Sequence, residues 1–398
     1  MPVGCHADFC RGSILMPTDI PPVVPLPDIA EIQQQVDSAL VGLPPKSRVF
    51  KKRHFRDREL QGLVLADCFF IECSFERITF RDCDVRQVRF ERCTLSDVSM
   101  VSGQLDRLMF TECQLEHLSL LEVNVYGLVC NEGSLQVCQA ENCLSEDLSL
   151  NKCLVSDIQI RNSRLSQFNA QSITAQNLMF HEGQLQDANW HACQLQACSW
   201  RELVLTRHIM GSCQLENCTW QGISGLARTW FVCQLSGCVL AGLPLSGSSF
   251  HRSELEDCSL AGSQLAQAIF TEARLLRCDF SQAQLNQVQG QDAQFVECQM
   301  GESTWVNAIL PRAEFKHCEL TQANLQQADL RVADLREQPL TAKQVQSARL
   351  HAAQRARTDT TPASSDPFLI AIDQWYARHQ LGPRQQTAAR PTGASRYV

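Results

Sequence analysis

The sequence predicts an all-β solenoid, a square parallel coil whose sides are five residues long. Three observations carry this. From Leu60 to Leu340 every fifth residue is apolar at 54 of 57 positions, where a chain 44% apolar supplies about 25 by chance. The exceptions are Ser145, Gly225 and Gly290. Two residues before each of these positions stands a small or medium one, as in Cys68, Cys73 and Ile78, and later Ala323, Ala328 and Ala333. Cysteine then recurs at 198, 218, 238, 258, 278, 298 and 318, in steps of twenty, and Phe180, Trp200 and Trp220 keep the same step. A helix has a period near 3.6 and a flat strand a period of 2, so neither explains a period of five. Two inward positions per five residues, repeating every twenty, describe a tube with four sides per turn.

The run Cys318-Glu-Leu-Thr-Gln-Ala-Asn-Leu-Gln-Gln-Ala-Asp-Leu-Arg-Val-Ala-Asp-Leu335 resembles the A-(D/N)-L-x-x pattern of pentapeptide repeat proteins. That resemblance implies a right-handed quadrilateral β-helix with the Leu/Phe and the small residue two before it pointing inward; short helical caps at both ends are read from the flanking residues. It spans residues 59–340 and speaks to fold more than to function, since a solenoid hosts many unrelated surfaces. The chain departs from the pattern in placing Cys where Ala is usual, and Gln, Glu or Ser where Asp or Asn is usual.

Length and charge fit one rod. Fifty-seven repeats at four per turn make about 14 turns, on the order of 65–70 Å long at the strand spacing. Residues 60–340 hold 19 Lys/Arg against 33 Asp/Glu, net −14, while residues 341–398 are net +5. An acidic rod with a basic tail is the electrostatic outline. Of 21 cysteines, 18 occupy the small inward position; Cys5, Cys10 and Cys130 do not. A free cysteine behaves as a small hydrophobe, so core packing is the reading, in a reducing compartment such as the bacterial cytoplasm. No signal peptide is visible, and no apolar run reaches the length of a membrane span.

Taken in order, residues 1–27 read as an extended Pro-rich arm. Residues 28–58 read as a cap helix, with Asp28 as N-cap and Ile29, Ile32, Val36 and Leu40 on one face, followed by a basic lead-in. Residues 59–340 form the coil. Within it, Ser145 marks a local slip of frame and Gly290 a bulge. The frame places Gly225 and Arg228 inward, and His208 lies twenty residues before Arg228. A buried Arg without a partner is costly, so the coil is expected to bulge there and release it to solvent. His208 and Arg228 are then candidate surface residues at one corner. Residues 341–358 read as a helix capped by Thr341 that closes the rod. Residues 359–398 hold a linker, a short amphipathic helix and a basic tail. That helix presents Phe368, Leu369, Ile372, Trp375 and Tyr376 on one face. It either folds back onto the rod or docks a partner, and both readings stand.

No catalytic constellation is legible. The ten His are scattered singly, the cysteine pairs follow the repeat and not metal geometry, and no phosphate loop or nucleophile elbow occurs. The chain therefore reads as a non-enzyme with no cofactor, no metal and no small-molecule substrate. The expectation is a scaffold or adaptor with a protein partner and no nucleic acid. Its length and Cys-rich repeats are similar to pentapeptide repeat proteins that accompany bacterial secretion machinery, type VI clusters included, which would add export. The alternative implied by the resemblance is a DNA mimic that binds DNA gyrase.

Overall fold

The computed structural model describes residues 48–225 and 228–356, with Ala371 and Trp375 beyond them. All strand pairing among the described residues is parallel, and partners lie twenty residues apart, as in Arg48↔Cys68, Leu95↔Leu115 and Phe295↔Phe315. The chain climbs one strand spacing per twenty residues through about 15 turns. Each turn supplies backbone partners to the next, so sheet edges remain only at the two ends.

Corners are made by the backbone itself. From Lys52 to Ala352 nearly every fifth residue has φ between 44° and 61° and is not glycine. The left-handed conformation turns the chain sharply between sides, and its local cost is offset by the ladder of hydrogen bonds it permits. These corner residues point outward and pair along the rod axis. Arg77 holds Asp57 (2.6 Å), Lys152 holds Glu132 (2.8 Å), Arg252 holds Glu272 (2.8 Å) and Arg312 holds Asp292 (2.6 Å). Asn162 donates to Asn142 in the same way. Such exposed pairs add little stability each, and their regular twenty-residue spacing follows from the coil.

The interior is lined by one apolar cluster that runs from Leu63 to Leu350. Aromatic rings stack along it at the strand spacing: Phe50, Phe70, Phe90 and Phe110 at 4.9, 5.2 and 4.8 Å, then Trp200 on Trp220 at 4.7 Å. The thiols of Cys198 to Cys298 are buried in a file, and each donates to a carbonyl of its own side and to one of the turn below; Cys218 reaches Glu216 O and Leu195 O, both at 3.5 Å. Burial raises the thiol pKa of Cys138, Cys143 and Cys153 above the ordinary value.

The tube has two gauges. From Ser248 onward, tight turns close with bonds such as Ser248 N–H to Leu245 O and Ala268 N–H to Leu265 O, both 3.0 Å. Before that point the sides run as longer strands, for example Thr94–Thr111 and Ser199–Gly211. Side-chain size follows the change. The small inward position holds Ala268, Ala283, Ala293 and Ala308 in the narrow part, but Leu108, Leu118, Leu128 and Leu148 in the wide part. The tight bond forms chiefly where this position is alanine or serine, and the leucines accompany the longer strands.

Several sequence expectations are corrected. The coil is already formed at Arg48, ahead of 59, because Arg48–Lys51 and His54–Gln61 pair with the next turn. Residues 341–355 are a further turn of coil and not a helix: Asp334↔Gln354 and Leu335↔Arg355 pair, and Val345 and Leu350 are buried. Thr341 and Gln344 do make reciprocal capping bonds, but these close a single turn. The amides of Leu325 and Leu330 need acceptors, and Gln344 O and Arg349 O supply them. Ser145 causes no slip, since it pairs in register with Val125 and Leu165. Gly290 makes no bulge; its missing side chain admits Leu310, whose Cδ2 would lie 2.7 Å from a Cβ there. The arm 1–27 and the helix expected after Asp28 lie outside the described residues.

Candidate functional site: outer wall and buried polar column

Side chains between the two inward positions and at the corners point to solvent, so the outer wall is a lattice fixed by the backbone. Its charge is banded. Residues 48–92 carry eleven Lys/Arg, many in ion pairs such as Arg56–Glu76 and Arg92–Glu91. Residues 97–157 carry ten Asp/Glu against only Arg107 and Lys152, net −8 over three turns. Arg107 is held by Asp106 and Lys152 by Glu132, which leaves the belt with no free cation among the described residues. From His181 to His251 the wall is nearly neutral.

His208 and Arg228 were expected at the surface and are instead inside. His208 is 0% exposed and Arg228 1%, and the two stand in direct register on successive turns. The frame holds here because Gly225 takes up the strain at φ +109°, where a Cβ would meet Leu205 O at 2.1 Å. Arg228 Nη1 donates to Pro244 O at 2.6 Å, while its Nε and Nη2 and both His208 nitrogens have no protein partner. Ser248, next in the column, is also buried with its hydroxyl unpartnered. Trp190 and Trp200 wall the imidazole at 6.4 and 6.3 Å. Burial first, and the Arg228 charge second, push the His208 pKa down to about 3; burial pushes Arg228 down to about 10. His208 is therefore neutral at physiological pH, and Arg228 is a charge without a counterion. The column cannot act on a solute at the wall.

Of the helix candidates, Phe368, Leu369, Ile372 and Tyr376 lie outside the described residues. Trp375 is helical and 49% exposed. Sequence reasoning missed one cluster: His181, Glu182 and Glu202 bring three donor atoms within 4.8 Å on the outer wall. The twenty-residue step from 182 to 202 was the available signal. Arg201 already bonds Glu202 there, at 3.3 Å. Among the described residues no helix is long and apolar enough to cross a membrane.

Residues 53–130 and 248–325 match the family model of the pentapeptide repeat region. The described coil repeats in units of five residues, twenty to the turn. Among solved structures, the coil is similar to HetL, a pentapeptide repeat protein involved in heterocyst differentiation regulation, from the cyanobacterium Nostoc. Identity is 16% over 76% of this chain and 96% of that one, with a TM-score of 0.21. For full-length QnrB1, a plasmid-mediated fluoroquinolone resistance protein, the values are 14%, 62%, 100% and 0.22. The AlgE4 A-module, a mannuronan C-5 epimerase of Azotobacter vinelandii, gives 8%, 74%, 92% and 0.21. No functional inference attaches to likenesses of this size. No curated protein matches the chain.

Proposed function

We propose that the pentapeptide-repeat rod is a non-enzymatic scaffold whose acidic belt, residues 97–157, docks a basic protein partner. The observation that supports this is the net −8 carried by three consecutive turns on a rigid lattice. Such a field accelerates encounter with a cationic surface and selects against acidic ones, and it weakens with salt. The setting we propose is a bacterial secretion system, type VI included, with the protein in the cytoplasm or exported with the machine. Affinity capture from the native host, with the intact chain and a variant carrying Glu112→Gln, Glu116→Gln, Glu122→Gln and Glu146→Gln, tests the reading. A partner that binds both equally, in low and high salt alike, rules the belt out. The same capture without residues 359–398 separates docking by the C-terminal helix from docking by the wall.

A second reading is a DNA mimic toward DNA gyrase, which the net −14 of residues 60–340 favours. The cationic first turns and the neutral stretch after His181 weigh against it, since a duplex is evenly charged along its length. A gyrase supercoiling assay at micromolar protein discriminates: no inhibition and no protection removes this reading.

A further inference from the structure

The wide part of the tube is not filled. A cavity of about 190 Å³ runs inside it, bounded at its two ends by Leu65 and Phe180 and walled by apolar side chains, with Gln139 the one polar residue that reaches it. The sequence accounts for the space through two opposing changes in volume. At the central position the turn holding Cys130, Leu135, Ala140 and Ser145 is small, where the turn at 190–205 has Trp190, Leu195, Trp200 and Leu205. At the neighbouring inward position, Leu118, Leu128 and Leu148 stand where the gauge is wide. The phenylalanine stack ends at Phe110, and the next residue in its column is Cys130. A second observation agrees: Leu120, Leu128, Leu148 and Ile160 point inward and yet are only partly buried, because they border open space.

An apolar cavity of about 150 Å³ stays dry and takes up benzene or xenon, and this one is larger. Its lining spans nearly six turns, on the order of 28 Å at the strand spacing, so the space is long and narrow. We propose that the cavity is a binding site for an uncharged linear hydrocarbon of roughly six to ten carbons, lying along the coil axis. Charge and hydrogen-bonding groups are disfavoured by walls that are apolar save at Gln139. A slim chain reaches further along the space than a ring does. The ligand is a guest of the core and not a substrate.

The test uses the full chain and n-octane as probe. Saturating n-octane is expected to raise the melting temperature by several degrees, through preferential binding to the folded state. Xenon, followed by its own magnetic resonance, is expected to give a bound signal that n-octane displaces. The double variant Ala140→Leu, Ser145→Leu fills the cavity and is expected to lose both effects while keeping the β-sheet circular dichroism. An unmoved melting temperature in the wild type, with no bound xenon signal, overturns the proposal. So does an octane shift of equal size in the folded double variant. If that variant fails to fold, displacement of xenon by n-octane in the wild type decides the matter alone.

Discussion

His208 and Arg228 occupy the same inward position on consecutive turns, and no carboxylate shares that part of the interior. Among the described residues the one buried acid is Asp329, five turns further along. Two potentially cationic groups thus sit in register inside an apolar tube, held by the frame of the repeat and not by any pairing of their own. An arginine cannot shed its proton readily, so histidine is the member that yields.

The first expectation concerns acid. His208 has a depressed pKa of about 3 in the folded chain, and unfolding restores the ordinary value of 6.5. Between these pH values the unfolded state binds the extra proton, so stability falls as pH drops through that window. The loss is roughly 1 kcal/mol per pH unit below about 6. Urea titrations from pH 7 to 4 measure it, and His208→Phe should flatten the slope.

Arg228→Met should stabilise the fold. The substitution removes a buried charge and two unpartnered donors at the cost of one bond to Pro244 O. A gain of about 1–3 kcal/mol is expected, read as a higher denaturation midpoint. A loss of that size would mean the guanidinium is compensated in solution.

Trp200 lies face to face with Trp220, 3° from parallel, and is 0% exposed. Trp200→Ala opens a void in a fully buried part of the tube, beside the stacked ring of Trp220. About 3–5 kcal/mol should be lost, with no change at the outer wall. Thermal denaturation and retained partner capture together check both halves of that statement.

A chain ending at Leu340 should be markedly less stable than the intact one. It strands the amides of Leu325 and Leu330 and uncovers the apolar end that Val345 and Leu350 close. A helical cap read from Thr341 would instead have left the last coil complete. Melting temperatures of the two chains distinguish these outcomes.

The coil was legible because its signal is redundant. The period of five, the thiol file from Cys198 and the ring file from Phe180 all point to one frame. What was misread was misread locally. Thr341 and Gln344 carry the same capping chemistry whether a helix or a single turn follows, so neighbouring residues could not tell them apart. Arg228 was assigned to solvent because a buried cation is costly. The cost is real, but thirty-odd in-frame sides before it and two dozen after it outweigh one residue's preference. The cavity escaped notice for a different reason: Cys130 and Ala140 satisfy an apolar pattern as well as Phe or Trp does, and such a pattern is blind to volume. The banding of charge was present in the sequence throughout and was hidden by summing over the whole rod.

The left-handed residue at nearly every corner has an evolutionary corollary. Adding or removing one to four residues anywhere in the rod turns each later side away from its partner below and carries leucines into water. Removing twenty deletes one storey and lets the floors above and below meet in step. Such a molecule therefore changes length by whole storeys, and its surface is edited in the same discrete unit.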